Sequence, residues 1–333
     1  MRNRPMAKTG PGKHYRKGLT LLEVADKFSD NDKARAWLEE LRWPNGPHCP
    51  FCGSFNVQSN IKHKTMTHRC RDCDDKPMFS MRHGTILAET RIPYRKWAIA
   101  IYLYSTNLKG VSSMKMHREL GISQKSAWFM LQRLRKATET EGEAFSGPVE
   151  VDETYMGGKR KNMSNAKRKA LKDTGRGAVG KIAIVGVKDR RTNKIKAKSI
   201  TATDAKTLQG FVTKHTDKEA TVYTDEARAY ESLPRTHEAV KHSVSEYVRD
   251  QAHTNGIESF WALMKRGYIG VYHKISPKHL DRYVSEFEHR HNIRGSDTVD
   301  QMSNVVQGMC GKRLTYKHLI ADNGLDSGAK AIA

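Results

Sequence analysis

The sequence predicts an α/β chain in which a mixed sheet flanked by helices follows a small zinc-binding module and a helical pair. Three observations predict it: two C-x2-C pairs near the N-terminus, a helix–glycine–helix pattern over residues 111–137, and short β-branched runs alternating with amphipathic segments after residue 147. Residues 1–18 are predicted to be a basic flexible arm, and residues 301–333 a C-terminal tail.

The charge of the chain indicates a polyanionic partner. Its 333 residues contain 59 Lys and Arg against 36 Asp and Glu, a formal net charge of +23. Nucleic acid is the commonest partner of so basic a protein, although a ribosome-associated or merely basic protein has the same composition. The sequence has neither an apolar run of ~18 residues, which a transmembrane helix needs, nor an apolar signal core at its basic N-terminus. A cytoplasmic, nucleoid-associated protein is expected, without membrane contact.

The cysteine spacing predicts a structural zinc site within a zinc-ribbon region, residues 19–85. Four cysteines form two C-x2-C pairs separated by 17 residues, and Cys310 stands apart. Each pair places two thiolates on a tight turn, and two such turns can close a tetrahedral Zn²⁺ site. The predicted ligands are Cys49, Cys52, Cys70 and Cys73. The segment between the pairs is basic, which suits a ribbon that lies on DNA, although a ribbon that binds only protein remains open.

Residues 90–140 are predicted to be a helix-turn-helix domain. A helix ends at Gly121, and Ser123 caps a second helix in which Ala127, Met130, Leu131 and Leu134 form the buried stripe. This leaves Lys125, Gln132, Arg133 and Arg135 for the outer face. Lys125 and Arg133 are the predicted DNA contacts, with the second helix in the major groove. Any helical hairpin with a solvated basic face would have the same pattern.

Strands and helices alternate beyond a polar linker, residues 141–148. The predicted strands contain VEVDETYM, KIAIVGVKD, KIKAKSI, ATVYTDEA and HEAVKHS, and the helices contain DAKTLQGFVTKHT and HTNGIESFWALMKRG. The order is interpreted as β-β-β-α-β-α-β-α, with the first three strands antiparallel and a helix between the fourth and fifth. That is the order of an RNase H-like fold, predicted for residues 147–300.

Three carboxylates are predicted to meet at one edge of this sheet. Asp225 ends the fourth strand, Asp152 lies near the end of the neighbouring first strand, and Glu258 falls on the following helix. An aspartate after a strand is also typical of a turn or helix cap. Three adjacent carboxylates repel one another unless divalent cations neutralise them, and Mg²⁺ or Mn²⁺ suits such oxygen ligands. Two ions ~3.5–4 Å apart can activate the attacking water or 3′-hydroxyl of phosphodiester chemistry.

Neighbouring residues compete for these roles or assist them. Glu150 shares a strand face with Asp152, whereas Glu153 should point to the other face. Asn255 lies one turn before Glu258 and is a possible neutral ligand. Lys265, two turns after Glu258, is a candidate for contact with a DNA phosphate near the scissile bond, or else an exposed surface lysine.

The motifs taken in order resemble the ISXO-type bacterial insertion-sequence transposases, relatives of the eukaryotic Merlin elements. They are the cysteine pairs, the helix-turn-helix, VEVDETYMGG, VYTDEARAY, HTNGIESFWALMKRGYIGVYHKISPKHL and EFEHRHNIR, from about Leu19 to Arg294. HTNGIESFW…KRG followed by YHKIS is the most specific part. The resemblance implies a DDE-type transposase that cuts at its element's terminal inverted repeats and joins the 3′ ends to target DNA.

The resemblance also assigns roles to residues. It carries the three acids to Asp152, Asp225 and Glu258, and the associated lysine to Lys265. Because the family's third position is often Asn, the third ligand is left open between Asn255 and Glu258. A homodimer or higher oligomer on double-stranded DNA is expected, since two transposon ends must be paired.

Two other functions fit parts of the sequence. One is an RNase H-like nuclease without strand transfer. The other is a zinc-ribbon and helix-turn-helix DNA-binding regulator with an inactive α/β domain, which the intact Asp152, Asp225 and Glu258 disfavour.

Overall fold

The computed structural model describes residues 17–142, 144–158, 160–170, 180–225, 228–240 and 254–327. The N-terminal part of the chain forms helices around a small sheet, and a larger mixed sheet with helices on both faces follows. Of the predicted arm, only Lys17 and Gly18 belong to the described residues. No helix within these ranges is long and apolar enough to cross a lipid bilayer.

The N-terminal part begins with two capped helices and a three-stranded antiparallel sheet. α1 starts at a capping box between Thr20 and Glu23, and α2 starts at Asp30, whose carboxylate accepts a hydrogen bond from the backbone N–H of Lys33 (2.8 Å). The helices are α1 (Leu21–Lys27) and α2 (Asn31–Arg42), and the strands, in sheet order, are β1 (Val57–Ser59), β2 (His68–Cys70) and β3 (Met78–Phe79).

The predicted pair of helices is present. α3 (Tyr94–Thr106) precedes α4 (Ser113–Leu120) and α5 (Gln124–Thr138). Gly121 ends α4 in the left-handed conformation, and Ser123 caps α5 by accepting a hydrogen bond from the backbone N–H of Ser126. The predicted stripe of α5 is buried, comprising Ala127, Met130, Leu131 and Leu134.

The prediction that one face of α5 is exposed is wrong beyond the first turn of the helix. Gln132, Arg133 and Arg135 are buried. The Arg133 guanidinium lies over the ring of Phe129, and its Nε donates to the backbone carbonyl of Leu314 (3.3 Å). The segment around Leu314 covers Arg133, and α9 covers Arg135. Periodicity within α5 carries no information about parts of the chain so distant in sequence. Lys125, in the first turn, is exposed as predicted.

The larger sheet has the predicted pairing of its first four strands. Its described strands lie in the order β6-β5-β4-β7-β8; β4, β5 and β6 are antiparallel, and β7 is parallel to both β4 and β8. The first and fourth strands are therefore neighbours. The strands are β4 (Val149–Met156), β5 (Ile182–Asp189), β6 (Ile195–Ile200), β7 (Thr221–Asp225) and β8 (Thr236–Val240).

Apolar residues bury both faces of this sheet. Val149, Val151 and Val187 pack against α7 (Ala205–His215), on one face. On the other, Ile184 and Ile195 pack against α8 (Asn255–Gly267) and α9 (Leu280–Asn292). The mixed α/β architecture predicted for this region is confirmed. A short helix, α6 (Asn165–Ala170), lies between β4 and β5.

The helix predicted between the fourth and fifth strands is not found among the described residues. Between β7 and β8, residues Arg228–Tyr230 form a single 3-10 turn. The connection is short and contains Pro234, which disfavours helical conformation at the residue before it.

Part of the predicted C-terminal tail is folded into the N-terminal core. α10 (Thr298–Gln307) contacts α2, α3 and α5, and α11 (Tyr316–Ile320) follows it. The buried residues here are Met302, Val305, Val306, Met309, Leu314 and Leu319. Residues 301–320, within the predicted tail, thus pack into this core, because the short apolar stripes of α10 and α11 find their partners far away in sequence. Residues 328–333 lie outside the described part.

A buried charged cluster joins the two parts of the chain. Glu286 of α9, with 0% of its side chain exposed, accepts hydrogen bonds from Arg135 of α5 (Nε, 2.7 Å) and Arg290 (Nη2, 2.7 Å). Tyr272 also donates to it (2.8 Å), and Arg135 stacks on the ring of Tyr283 at 3.8 Å. The helical part and the sheet are therefore held together by more than apolar contact.

Candidate functional site

The four predicted zinc ligands converge. Cys49 and Cys73 have their sulfurs 3.7 Å apart, Cys52 and Cys70 have theirs 3.6 Å apart, and all four lie within 4.8 Å of one another. Sulfurs bound at ~2.3 Å to a tetrahedral Zn²⁺ have about this separation. Four thiols without an open position fit a structural zinc ion.

The local backbone explains how the first pair forms this site. Gly53, at φ 78°, donates its N–H to the carbonyl of Cys49 (2.9 Å) and closes the turn. Burial acts to raise the pKa of the Cys49 thiol, but hydrogen bonds from the backbone of Cys52 and Phe51 outweigh it and hold the pKa at about 7. A thiol that ionises near neutral pH is a ready metal ligand.

The pairing of β4 with β7 brings Asp152 beside Asp225. Val149 pairs with Val222 and Glu150 with Tyr223, in parallel. The paired residues end there, and the same offset continued by two residues would bring Asp152 level with Asp225, the last residue of β7. Neighbouring strands lie ~4.8 Å apart, and residues at matching positions of parallel strands point to the same face. The two aspartates therefore share one face, although Asp152 lies inside β4 and not near its end.

Trp261 of α8 orients Asp152. Its indole Nε1 donates to Asp152 Oδ2 (3.0 Å), and the backbone N–H of Glu153 donates to Oδ1 (2.8 Å). Gly186 is the partner of Asp152 in β5, and a Cβ there would lie 2.7 Å from the Trp261 ring. The glycine thus makes room for the indole that holds the carboxylate. No role is predicted for Trp261 from the sequence; a glycine inside a strand is the sequence signal of such a close approach.

The electrostatics link the three predicted acids. The pKa of Asp152 is raised to about 6, first by burial and then by the negative charges of Asp225 and Glu258, against the opposing effect of its two hydrogen bonds. Glu258 lies in the first turn of α8, where its Oε1 accepts a hydrogen bond from the hydroxyl of Thr254 (3.1 Å). Its side chain is exposed, whereas Asp152 and Asp225 are half-buried.

The carboxylates are more widely spaced than the cysteines. Among the described residues, only the four cysteines form a group of three or more metal-binding side chains within 4.8 Å. The three predicted acids lie on three elements, Asp152 inside β4, Asp225 at the end of β7 and Glu258 in the first turn of α8. Mutual repulsion among the carboxylates favours such spacing, and bound divalent cations would reduce that repulsion.

Glu150, which shares a strand face with Asp152 and competed with it as a metal ligand, has its carboxylate engaged in structural hydrogen bonds. Its buried carboxylate accepts hydrogen bonds from Arg190 (Nε, 2.9 Å) and from the backbone N–H of Ile257 (2.9 Å). Ile257 lies in the first turn of α8, so Glu150 caps this helix from the sheet. It fixes the start of the helix that carries Glu258.

Glu153 is a fourth acid close to the site. It points to the other face of β4, as predicted, and accepts a hydrogen bond from the buried Tyr230. Burial, followed by the charges of Asp225 and Asp152, raises the pKa of Glu153 to about 7. The alternation of side chains along β4 predicts the face to which Glu153 points. It does not predict that Glu153 lies close enough to Asp152 and Asp225 to be affected by their charges.

Asn255 and Lys265 both lie on the exposed surface of α8. Asn255 is the first residue of the helix, one turn before Glu258, and Lys265 lies two turns after it, about 10 Å along the axis. The predicted alignment of the three residues on one helix is confirmed, and their roles stay predictions.

Basic side chains line a groove beside the ribbon. It has a volume of about 1450 Å³ and lies between the ribbon and the start of α2 and α3. Its exposed cations include Lys64, Lys76 and Arg91, and Arg35 and Arg313 also line it. The groove is a second basic surface besides the exposed first turn of α5.

Comparison with known proteins agrees with this arrangement. Residues 144–292 match the family model of the ISXO2-like transposase domain, and residues 29–76 match that of the transposase zinc-ribbon domain. These two matches indicate an insertion-sequence transposase. The transposase domain covers the sheet with all three predicted acids, and the zinc-ribbon domain covers all four cysteines.

A relative of this transposase comes from Halobacterium salinarum. An uncharacterised protein in the transposable element ISH50 of Halobacterium salinarum is 28% identical over 279 residues, which are 80% of this chain and 92% of that protein. The similarity therefore extends over both domains and the helices between them.

Proposed function

We propose that this transposase holds divalent cations on Asp152, Asp225 and Glu258, cuts DNA at the ends of its insertion sequence and joins the 3′ ends to target DNA. The observation that carries the proposal is the register of β4 and β7, whose offset, continued by two residues, would bring Asp152 level with Asp225. The strand order β6-β5-β4-β7-β8, with three antiparallel strands followed by two parallel ones, supports an RNase H-like fold.

The chain's own residues position the reaction. Mg²⁺ or Mn²⁺, when bound, would activate the attacking water or 3′-hydroxyl and stabilise the leaving oxygen. Trp261 and the backbone of Glu153 fix the direction of the Asp152 carboxylate. Lys265, exposed on α8, would contact a phosphate beside the scissile bond.

The DNA would lie on the exposed basic surfaces. Lys125, in the first turn of α5, and the groove lined by Lys64, Lys76 and Arg91 are exposed. Arg133 is left out of this proposal because it is buried against Leu314. Two transposon ends must be paired before joining, so the active species would be a homodimer or higher oligomer.

The test uses purified protein, Mg²⁺ or Mn²⁺, and DNA duplexes that carry the terminal sequences flanking the gene. Cleavage at the end and a joined product with added target DNA are expected. Asp152→Asn and Asp225→Asn should each lower both activities ~100-fold or more while leaving duplex binding intact. Wild-type protein that binds these ends with metal present yet gives neither product would overturn the proposed chemistry.

The same assay separates the alternative functions. Cleavage without joined product would indicate an RNase H-like nuclease. Binding alone, unchanged by Asp225→Asn, would indicate a DNA-binding regulator.

A further inference from the structure

The YHKIS segment, residues 272–276, has no part in the carboxylate site, yet it builds a cavity elsewhere. Tyr272 is anchored by its hydrogen bond to the buried Glu286. The next residues line a cavity of about 470 Å³, a volume within the ~300–1,000 Å³ range of small-molecule sites. Its walls include Trp128, Lys274, Ile275, Ser276, His279 and Tyr283.

The backbone of this segment is unusual on both sides of Tyr272. Residues Tyr268–Tyr272 form a π-helical turn, and His273 has φ 57° and ψ −37°, outside the regions that residues with a side chain normally adopt. π-turns and strained dihedrals cluster at ligand sites. The strain at His273 directly precedes Lys274, whose side chain is exposed at the mouth of the cavity.

The walls combine aromatic and cationic groups. Trp128, from α5, is half-buried and meets His279 edge to face at 5.5 Å. Lys278 donates to the carbonyl of Ile320 (2.8 Å), and the side chain of Lys274 is exposed on this wall. An aromatic surface with a lysine at its edge suits a flat base joined to a phosphate.

The cavity lies between two elements that the proposed function assigns to DNA contact. It joins α5, whose first turn exposes Lys125, to the segment that continues from α8, which carries Glu258 and Lys265. From Glu258 to the end of α8 is about 14 Å of helix, a length of a few nucleotides along one strand. Duplex bases are stacked out of reach, so only a nucleotide displaced from the helix would enter.

We propose that this cavity binds one nucleotide of the transposon-end DNA, displaced from the duplex, with its base against Trp128 and its phosphate at Lys274. The proposal rests on the proposed function, because it requires the protein to bind these ends. Base–aromatic contact of this kind would hold the DNA in register with the carboxylates.

The experiment combines a scan of the DNA with variants of the full-length protein. A set of duplexes carrying the terminal sequence has a single abasic site moved along each strand, and binding is measured for wild type and Trp128→Ala. At one position, loss of the base should weaken binding by wild type roughly 10-fold and leave binding by Trp128→Ala unchanged. Trp128→Phe, which keeps a ring, should restore the wild-type pattern.

Matched controls separate this contact from general effects. Phe55→Ala removes an exposed ring of the ribbon. Its effect on binding should be the same for the intact duplex and for every duplex with an abasic site. Lys274→Gln should reduce the salt dependence of binding by about one phosphate contact, whereas Lys206→Gln, an exposed lysine of α7, should not.

The outcomes are distinct. One outcome would overturn the nucleotide site and leave the proposed function standing. In it, wild-type protein binds and cuts the ends, but the losses of binding affinity caused by Trp128→Ala and by the missing base add at every position. Wild-type protein that binds no end sequence would overturn both. Thermal melting of each variant checks that Trp128→Ala is folded, and Trp128→Phe carries the test if it is not.

Discussion

Asp152 and Glu153 are adjacent carboxyls on opposite faces of β4, and both hold their protons more tightly than free carboxyls do. Their pKa values are raised to about 6 and about 7, first by burial. A carboxyl with a raised pKa in the folded state binds more protons there than in the unfolded state. The free energy of unfolding therefore falls as pH rises from about 4 through these values.

Asp152→Asn should show this effect directly. Without metal, its Tm relative to wild type should increase between pH 5 and pH 8, because the variant lacks a buried carboxylate that becomes charged. Adding Mg²⁺ should raise the Tm of wild type at pH 8 and leave that of the variant unchanged. Thermal melting followed by circular dichroism measures both effects. A Tm difference between variant and wild type that does not change with pH would contradict the raised pKa of Asp152.

The third metal ligand can be decided by comparing Glu258 with Asn255. Glu258 contributes to the raised pKa of Asp152 and is held by Thr254, which favours it as the ligand. Glu258→Gln should lower cleavage ~100-fold or more, and Asn255→Ala much less. The two variants are compared in the cleavage assay at saturating Mn²⁺. The reverse order of losses would assign the ligand to Asn255.

Gly186 tests the support of Asp152 without touching an acid. Gly186→Ala places a methyl group against Trp261, so the indole must move away from Asp152. Overpacking of this kind costs about 1–3 kcal/mol, and cleavage should fall with little change in DNA binding. Gly210→Ala on α7, where a Cβ has open space, is the matched control and should be neutral or slightly stabilising. Equal activity of the two variants would remove the positioning role of Trp261.

At the scale of elements, short-range sequence signals correctly predicted the turns and helix ends that they form. The cysteine spacing and the caps at Gly121 and Ser123 act within a few residues, and the structure confirms the elements predicted from them. The neighbouring strands β4 and β7 were also predicted, since the first and fourth strands are neighbours in the RNase H-like order that the sequence indicated. The outer face of α5 was not, because the segment around Leu314 that covers it lies far away in sequence.

The zinc ribbon provides a prediction for one element. Purified protein should contain about one zinc ion per chain, and Cys70→Ser should lose most of it, because a three-thiolate set leaves the tetrahedral site open. Elemental analysis measures the zinc content, and circular dichroism measures the accompanying loss of stability. Cys310→Ser, outside the four-cysteine group, is the control and should retain the metal. Zinc far below one ion per chain in wild type would contradict the site.

At the scale of the whole molecule, three contacts tie the N-terminal part to the rest of the chain. α10 and α11 return from the C-terminal side into the N-terminal core, and α5 packs on α9. Gly267, at the end of α8, lies so close to the carbonyl of Lys109 that a Cβ would approach it to 2.8 Å. DNA bound by the ribbon and α5 would therefore be held in a fixed position relative to Asp152 and Asp225.

The buried charged cluster at this junction makes the coupling measurable. Burial alone would raise the pKa of Glu286, but the charges of Arg135 and Arg290 outweigh it and lower the pKa, so the carboxylate stays charged between two guanidinium groups. Glu286→Gln would leave both cations buried without their counter-charge. Removing one partner of such a pair costs about 3–5 kcal/mol.

Urea unfolding should therefore separate the two parts in Glu286→Gln. Zinc release reports the ribbon and far-UV circular dichroism reports the whole chain, so the two transitions should coincide in wild type and diverge in the variant. Glu119→Gln breaks an exposed ion pair with Lys115 and should cost only about 0.3–0.5 kcal/mol. Replacing Arg135, Glu286 and Arg290 together by apolar residues should recover much of the lost stability, because no buried charge is then left unpaired. If Glu286→Gln cost no more than Glu119→Gln, the cluster would not be what holds the N-terminal part and the larger sheet in one unit.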